Sequence, residues 1–266
     1  MHEIAFASFL VRQRQALTRS LAQVGFILIL TIFSCWYVGL FDLERLGEGI
    51  PSLFSLLWEM MPPNFTDGPK WIKPLIDTLA MSIAGTALAV GFSLPLGFLA
   101  ARNTTPHPVV YQAARAVLNG LRSIPELIMG IVFVAAVGFG ALPGVLALGL
   151  HSIGMVGKFF AEAIEHVNQA PVEAARATGA SSLQVVAYGI LPQVLPQMAD
   201  VAVYRWEYNF RASTVMGMVG AGGIGFELMA SLRLMQYQDV SAILIVILLM
   251  VTLVDGFSAH LRSHFN

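Results

Sequence analysis

A run of charged and amide side chains, Tyr204-Arg205-Trp206-Glu207-Tyr208-Asn209-Phe210-Arg211, lies inside a long apolar stretch of this 266-residue chain. Ionisable groups at membrane depth are costly unless they pair with one another or face a watery path. On a helix Arg205 and Asn209 share one face, and Glu207 and Arg211, also four residues apart, stand within pairing distance. Three readings fit: a satisfied network holding helices together, the interfacial end of a helix, or the lining of a pathway biased toward anionic solutes. Ser213 and Thr214, which follow directly, join Arg205, Glu207, Asn209 and Arg211 as candidates for that lining.

Arg122-Ser123-Ile124-Pro125-Glu126 is a second cluster. Proline kinks a helix by removing a hydrogen bond, and Arg122 and Glu126 are expected one turn apart, as a structural pair or in contact with solute. Further on, Gly220-Ala221-Gly222-Gly223-Ile224-Gly225 satisfies G-x-G-x-x-G. It follows a membrane helix rather than the strand of a βαβ unit, so the dinucleotide reading fails. Gly220, Gly222, Gly223 and Gly225 are instead expected to form a flexible, tightly packed turn near an outer mouth, where backbone can move or line a gate. His260 and His264 have metal-like spacing but no acid or cysteine partner, so no metal is expected. There is no G-x-x-x-x-G-K-[ST] and no Ser/His/Asp arrangement, so neither a catalytic residue nor a cofactor is expected.

The elements that position these groups are membrane helices. The chain is 56% hydrophobic and 12% charged, with a mean hydropathy of +0.72; globular domains carry about 25% charged residues. Apolar runs approach the length of about 20 residues that a helix needs to cross the hydrocarbon core. They are continuous, without the period-two alternation of a barrel strand. The expected class is an all-α polytopic protein of about six spans, near residues 21–41, 75–101, 109–138, 143–164, 193–216 and 240–259. Arg12, Arg14 and Arg19 precede the first span, which is too long for a signal h-region and lacks a cleavage site. Residues 1–74 are expected to hold a polar leader, that span and an interfacial segment, and residues 75–266 the core. Leu53, Phe54, Leu56, Leu57, Trp58, Met60 and Met61 suit a helix lying in the interface, with Pro62-Pro63 and Gly68-Pro69 breaking the segment. Cys35 is alone, so no intrachain disulfide forms, and a net charge of −1 gives no bulk attraction to nucleic acid.

Lysine and arginine set the orientation. Six spans leave both termini on one side, with Arg12, Arg14, Arg19, Arg102, Arg115, Lys158, Arg176 and Arg262. The other side holds Arg45, Lys70, Lys73 and Arg233, diluted by Asp42, Glu44, Glu48, Glu59 and Asp67. The first side is expected to face the cytoplasm. It also carries a polar insertion near residues 165–190, containing Glu173-Ala174-Ala175-Arg176-Ala177-Thr178-Gly179. Alanines favour helix there, and Gly179 can take a backbone angle closed to other residues, turning the chain between two short helices. Pro192 and Pro196 are expected in the first turn of the next span.

The insertion resembles the signature of ATP-binding-cassette importer permeases: E-A-A, three residues, G, nine residues, then I-x-L-P. Glu173, Ala174, Ala175, Gly179, Leu191 and Pro192 fall in register, while Gly189 fills the isoleucine position with Ile190 beside it. Within that family the chain looks most like the phosphonate-transport permease, over about residues 75–262. The resemblance is densest in Arg122–Leu127, Lys158–Ala163, the E-A-A segment and Tyr204–Leu228. The resemblance implies a type I importer permease in the bacterial inner membrane. Two ATPase subunits would receive the Glu173–Gly179 knob, and a periplasmic binding protein would deliver solute. A second permease copy, identical or closely related, would complete the pore, and alternating access would move a phosphonate, phosphite or phosphate-ester anion past Arg122, Arg205 or Arg211. Other readings are an importer permease for a different small solute, an ion-coupled carrier using Glu207, Asp200 or Asp255, and a non-transporting scaffold.

Overall fold

Prolines and small polar caps decide where the helices of this chain begin. The computed structural model describes residues 2–263, those of 2–12, 15 and 16 by backbone alone. His264, half of the histidine pair noted above, lies outside the described residues. The chain divides into two compact units, Met1–Glu59 and Met60–Asn266.

The first unit comprises α1 (His2–Tyr37) and α2 (Leu43–Glu59). In α1 the 21 residues Leu17–Tyr37 are apolar and long enough to cross a bilayer. Helix α2 carries Leu53, Phe54, Leu56, Leu57 and Trp58, all exposed. Met60 and Met61 fall beyond its end.

The second unit holds α3 (Gly68–Leu99), α4 (Pro108–Ser123), α5 (Glu126–Val137), α6 (Ala141–Glu165), α7 (Gln169–Ala177), α8 (Ser182–Val185), α9 (Leu191–Met216), α10 (Ile224–Arg233) and α11 (Tyr237–Arg262). Gly68-Pro69 does not break the chain as expected. It starts α3, because proline fits the first turn, where its missing N–H has no partner to lose. Helix α4 begins the same way at Pro108, with His107 Nδ1 accepting from the Val109 N–H at 3.2 Å. Counting each bent pair as one, six candidate spans result among the described residues.

Two expected spans take a different course. The third is two helices, α4 and α5, meeting at 85°. Proline disfavours the α region for the residue before it, and Ile124 is accordingly extended (φ −92°, ψ 120°), so the helix stops at Ser123. The fifth reaches beyond both ends of α9 through π-helical turns at Val186–Ile190 and Gly217–Ala221, then bends by 56° into α10. Pro196 therefore lies inside a helix rather than in its first turn.

Helix α6 is the central element: two-thirds of its apolar window is buried, against one-third in α3. Small residues let membrane helices approach closely, and the α3–α6 contact is built on them. A Cβ on Gly149 would stand 2.7 Å from Leu88 Cδ2, and one on Gly85 3.1 Å from Leu148 Cβ. Ala89, Leu118, Ile153, Phe160, Val172 and Ile190 share the largest buried cluster, so one core runs from the bundle into the α7 elbow.

Candidate functional site

Two constellations stand out, the elbow after α6 and the charge cluster of α9. In the elbow, Asn168 caps α7 with its Oδ1, accepting from the Ala170 N–H at 3.0 Å. Ser181 and Gln184 form the reciprocal capping box of α8. Between them Gly179 adopts φ +79°, a left-handed conformation that side chains disfavour. Val172 is buried and Ala175 half-buried against the core, whereas Glu173, Ala174, Arg176 and Gly179 are exposed. Gln193 of α9 clamps the base: its Oε1 accepts from the Asn168 N–H at 3.0 Å, and its Nε2 donates to the carbonyls of Asn168 and Gly189.

The departure at Gly189 has a steric cause. A Cβ there would lie 3.2 Å from Val172 Cα, so a larger residue would push α7 outward. Ile190 beside it is buried as well. Leu191 and Pro192 open α9 in the positions the signature requires. Leu183 and Tyr188 went unnoticed in the sequence. They are 82% and 78% exposed, on α8 and on the π-helical turn that follows it. At the root of the elbow, Glu165 Oε1 accepts from Arg115 Nη2 and from the Arg102 N–H, both at 2.9 Å, tying α6 to α4 and to the α3–α4 loop.

In α9 the expected Glu207–Arg211 pair is present at 2.6 Å. It belongs to a larger cluster. Arg211 Nη1 also donates to both oxygens of Asp255, each at 3.0 Å, and Glu207 Oε2 accepts from Ser258 (3.1 Å) and Arg262 (3.3 Å). Two cations and two anions thus join α9 to α11. Arg205 and Asn209 share a face as expected and meet on Ser152 of α6. Arg205 Nε donates to Ser152 Oγ (2.8 Å), Ser152 donates to Asn209 Oδ1 (3.0 Å), and Asn209 Nδ2 donates to Thr86 Oγ1 (2.9 Å).

The Arg122–Glu126 pair does not form. The break at Pro125 separates the two residues into different helices, and Arg122 has no ion pair among the described residues. Glu126 instead accepts from the Tyr208 hydroxyl at 2.7 Å and lies 3.3 Å from His151 Nε2. His151 Nδ1 is 3.0 Å from the Ile124 carbonyl. Ser213 is fully buried, bonded to the carbonyls of Phe210 and Thr78, and Thr214 donates to the Arg211 carbonyl. Asn209 and Ser213 thus brace the bundle, bonding across to Ser152 and Thr86 and to the Thr78 carbonyl. Sequence reasoning missed His151, Ser152 and Tyr208. A histidine inside an apolar span was the available signal.

The glycine segment is a tight turn: Gly220, Gly222 and Gly223 have φ of +102°, +76° and +73°. Gly225 packs on the backbone of Thr214 and Gly217. The Gly140 N–H donates to the Gly220 carbonyl at 3.2 Å, joining this turn to the one before α6. Phe139, Gly140, Gly220, Gly222 and Phe226 line a cavity of about 440 Å³ there.

Comparison with known proteins assigns this architecture. The family model for binding-protein-dependent transport system inner membrane components matches residues 93–265, and the chain belongs to that family. Phosphite transport system permease protein PtxC of Stutzerimonas stutzeri is 70% identical over 248 residues, 93% of this chain and 90% of the relative. Phosphate-import permease protein PhnE of Mycolicibacterium smegmatis is 46% identical over 83% of this chain, which spans 41% of that longer protein. Among solved structures, the inward-facing MetNI methionine ABC transporter aligns with a TM-score of 0.64 at 22% identity, over 74% of this chain and 96% of that one. That likeness concerns the fold.

Proposed function

We propose that this chain is the permease subunit of an ATP-binding-cassette importer that carries a small phosphorus oxyanion, phosphite or a phosphonate, across the bacterial inner membrane. The observation that carries the reading is the α7–Gly179–α8 elbow. Its exposed face, with Glu173, Arg176, Leu183 and Tyr188, stands on a core continuous with α3 and α6. A push on that face reaches the bundle through packed side chains rather than through a loose loop. In our reading two ATPase subunits grip one elbow each, on this chain and on a second, identical or closely related permease. ATP-driven closure draws the elbows together and opens the pathway outward, and hydrolysis resets it inward. A periplasmic binding protein delivers the solute.

The distribution of Arg102, Arg115, Lys158 and Arg176 supports a cytoplasmic elbow and cytoplasmic termini. The name of the 70% identical relative supports phosphite as cargo. The glycine turn around Gly220–Gly225 suits a gate on the opposite side. An ion-coupled carrier working through Glu207 or Asp255 is less well supported, because both are engaged with Arg211. In proteoliposomes holding the permease, its ATPase and its binding protein, phosphite uptake should require ATP. Uptake by the purified permease alone, driven by an ion gradient, would contradict this reading.

A further inference from the structure

The two arginines at the centre of α9 differ in their compensation. Arg211 has carboxylates from Glu207 and Asp255. Arg205 is only 5% exposed and has no ion pair among the described residues. Its Nε bonds a hydroxyl, in a chain of Ser152, Asn209 and Thr86 that contains no carboxylate. The Tyr208 ring stacks on the guanidinium, 4.3 Å from its carbon, and Nη2 is buried with no hydrogen-bond partner. Glu126, the acid of this neighbourhood, is held by Tyr208 and His151. A buried cation that forms no ion pair is costly in a membrane protein and marks a functional position.

Beside it lies a cavity of about 170 Å³, lined among others by His151, Phe159, Val201, Tyr204, Arg205 and Tyr208. A water takes about 30 Å³ of liquid volume, so the space suits a solute of a handful of heavy atoms. We propose that this cavity is an oxyanion subsite within the permease, taking a tetrahedral phosphorus oxyanion such as phosphite as the missing counter-ion of Arg205. The proposal rests on the importer reading and gives it a residue-level site. Ser152, which accepts from Arg205 and donates to Asn209, fixes the Nε edge of the guanidinium and leaves the rest of the fork for the anion. The Glu126 carboxylate keeps the attraction shallow, which transport requires because a deep well slows release.

The test uses the assembled permease–ATPase complex in lipid nanodiscs, without binding protein, and radiolabelled phosphite in equilibrium dialysis. The wild type should bind saturably. Arg205→Gln should weaken binding by about 30-fold or more, the scale for truncating one partner of a buried charge pair. Arg205→Lys should recover part of it, which a purely structural role would not predict. Val201→Phe fills the cavity without touching the charge and should also weaken binding. Wild-type affinity in Arg205→Gln overturns the subsite; if that variant does not assemble, wild-type affinity in Val201→Phe does so. Unaltered binding in the variants alongside ATP-dependent phosphite uptake removes the subsite alone. A wild-type complex that moves no phosphorus oxyanion removes the cargo reading beneath it.

Discussion

Gly179→Pro should reduce uptake to background, a fall of about a hundredfold or more, while the chain still inserts in the membrane. Proline holds φ near −65° and has no N–H. Gly179 stands at +79°, and its N–H donates to the Arg176 carbonyl at 3.0 Å. The substitution therefore destroys the turn that sets α7 against α8, at a local cost of about 3 kcal/mol, equivalent to roughly a hundredfold. A side-chain carbon added here would meet nothing within 4 Å, so the bundle itself should survive. Gly179→Ala is the graded control: a left-handed alanine costs only about 1–2 kcal/mol, so uptake should fall partially. Glu173→Lys, on the exposed face, should also uncouple, because a misplaced charge in an interface costs several kcal/mol. Solute-stimulated ATP hydrolysis and uptake in proteoliposomes measure both. Normal coupled turnover in Gly179→Pro would mean that the elbow transmits nothing.

Glu207→Ala should cause the largest loss of stability. Glu207 is 9% exposed and holds both Arg211 and Arg262. Removing one member of a buried ion network leaves uncompensated charge, at about 3–5 kcal/mol for a fully buried pair. Arg211 and Arg262 are partly exposed, so solvent screening brings the expected loss to about 2 kcal/mol. Asp255→Ala should cost less, because Asp255 is itself more exposed and Glu207 still holds Arg211. Thermal unfolding in detergent compares the two. Equal melting temperatures for wild type and Glu207→Ala would show that this cluster does not join α9 to α11.

What could be read from the sequence was local. The Glu207–Arg211 pair follows from a spacing of four on one helix, and the short helices flanking Gly179 follow from alanine and glycine preferences. Where Pro125 interrupts the helix, the same spacing rule failed for Arg122 and Glu126. The partners of Arg205 lie on α6 and α3, at Ser152 and Thr86, and no periodicity within α9 points to them. The same holds for the Gln193 clamp, which closes a loop between residues 168 and 193 through one side-chain amide. The π-helical turns were invisible for a related reason: Val186–Ile190 reads as ordinary helix, and only its packing against Val172 gives Gly189 a cause.

The most direct test of the account places a single cysteine at Arg176 in a Cys35→Ser background, which has no other cysteine. In the assembled transporter, a short thiol cross-linker at this position should capture the ATPase subunit, and ATP should change the yield. In intact cells, membrane-impermeant thiol reagents added from outside should leave the position unmodified. Labelling from outside, with no ATPase captured, would contradict the claim that the elbow after α6 is where the force of ATP hydrolysis enters this bundle.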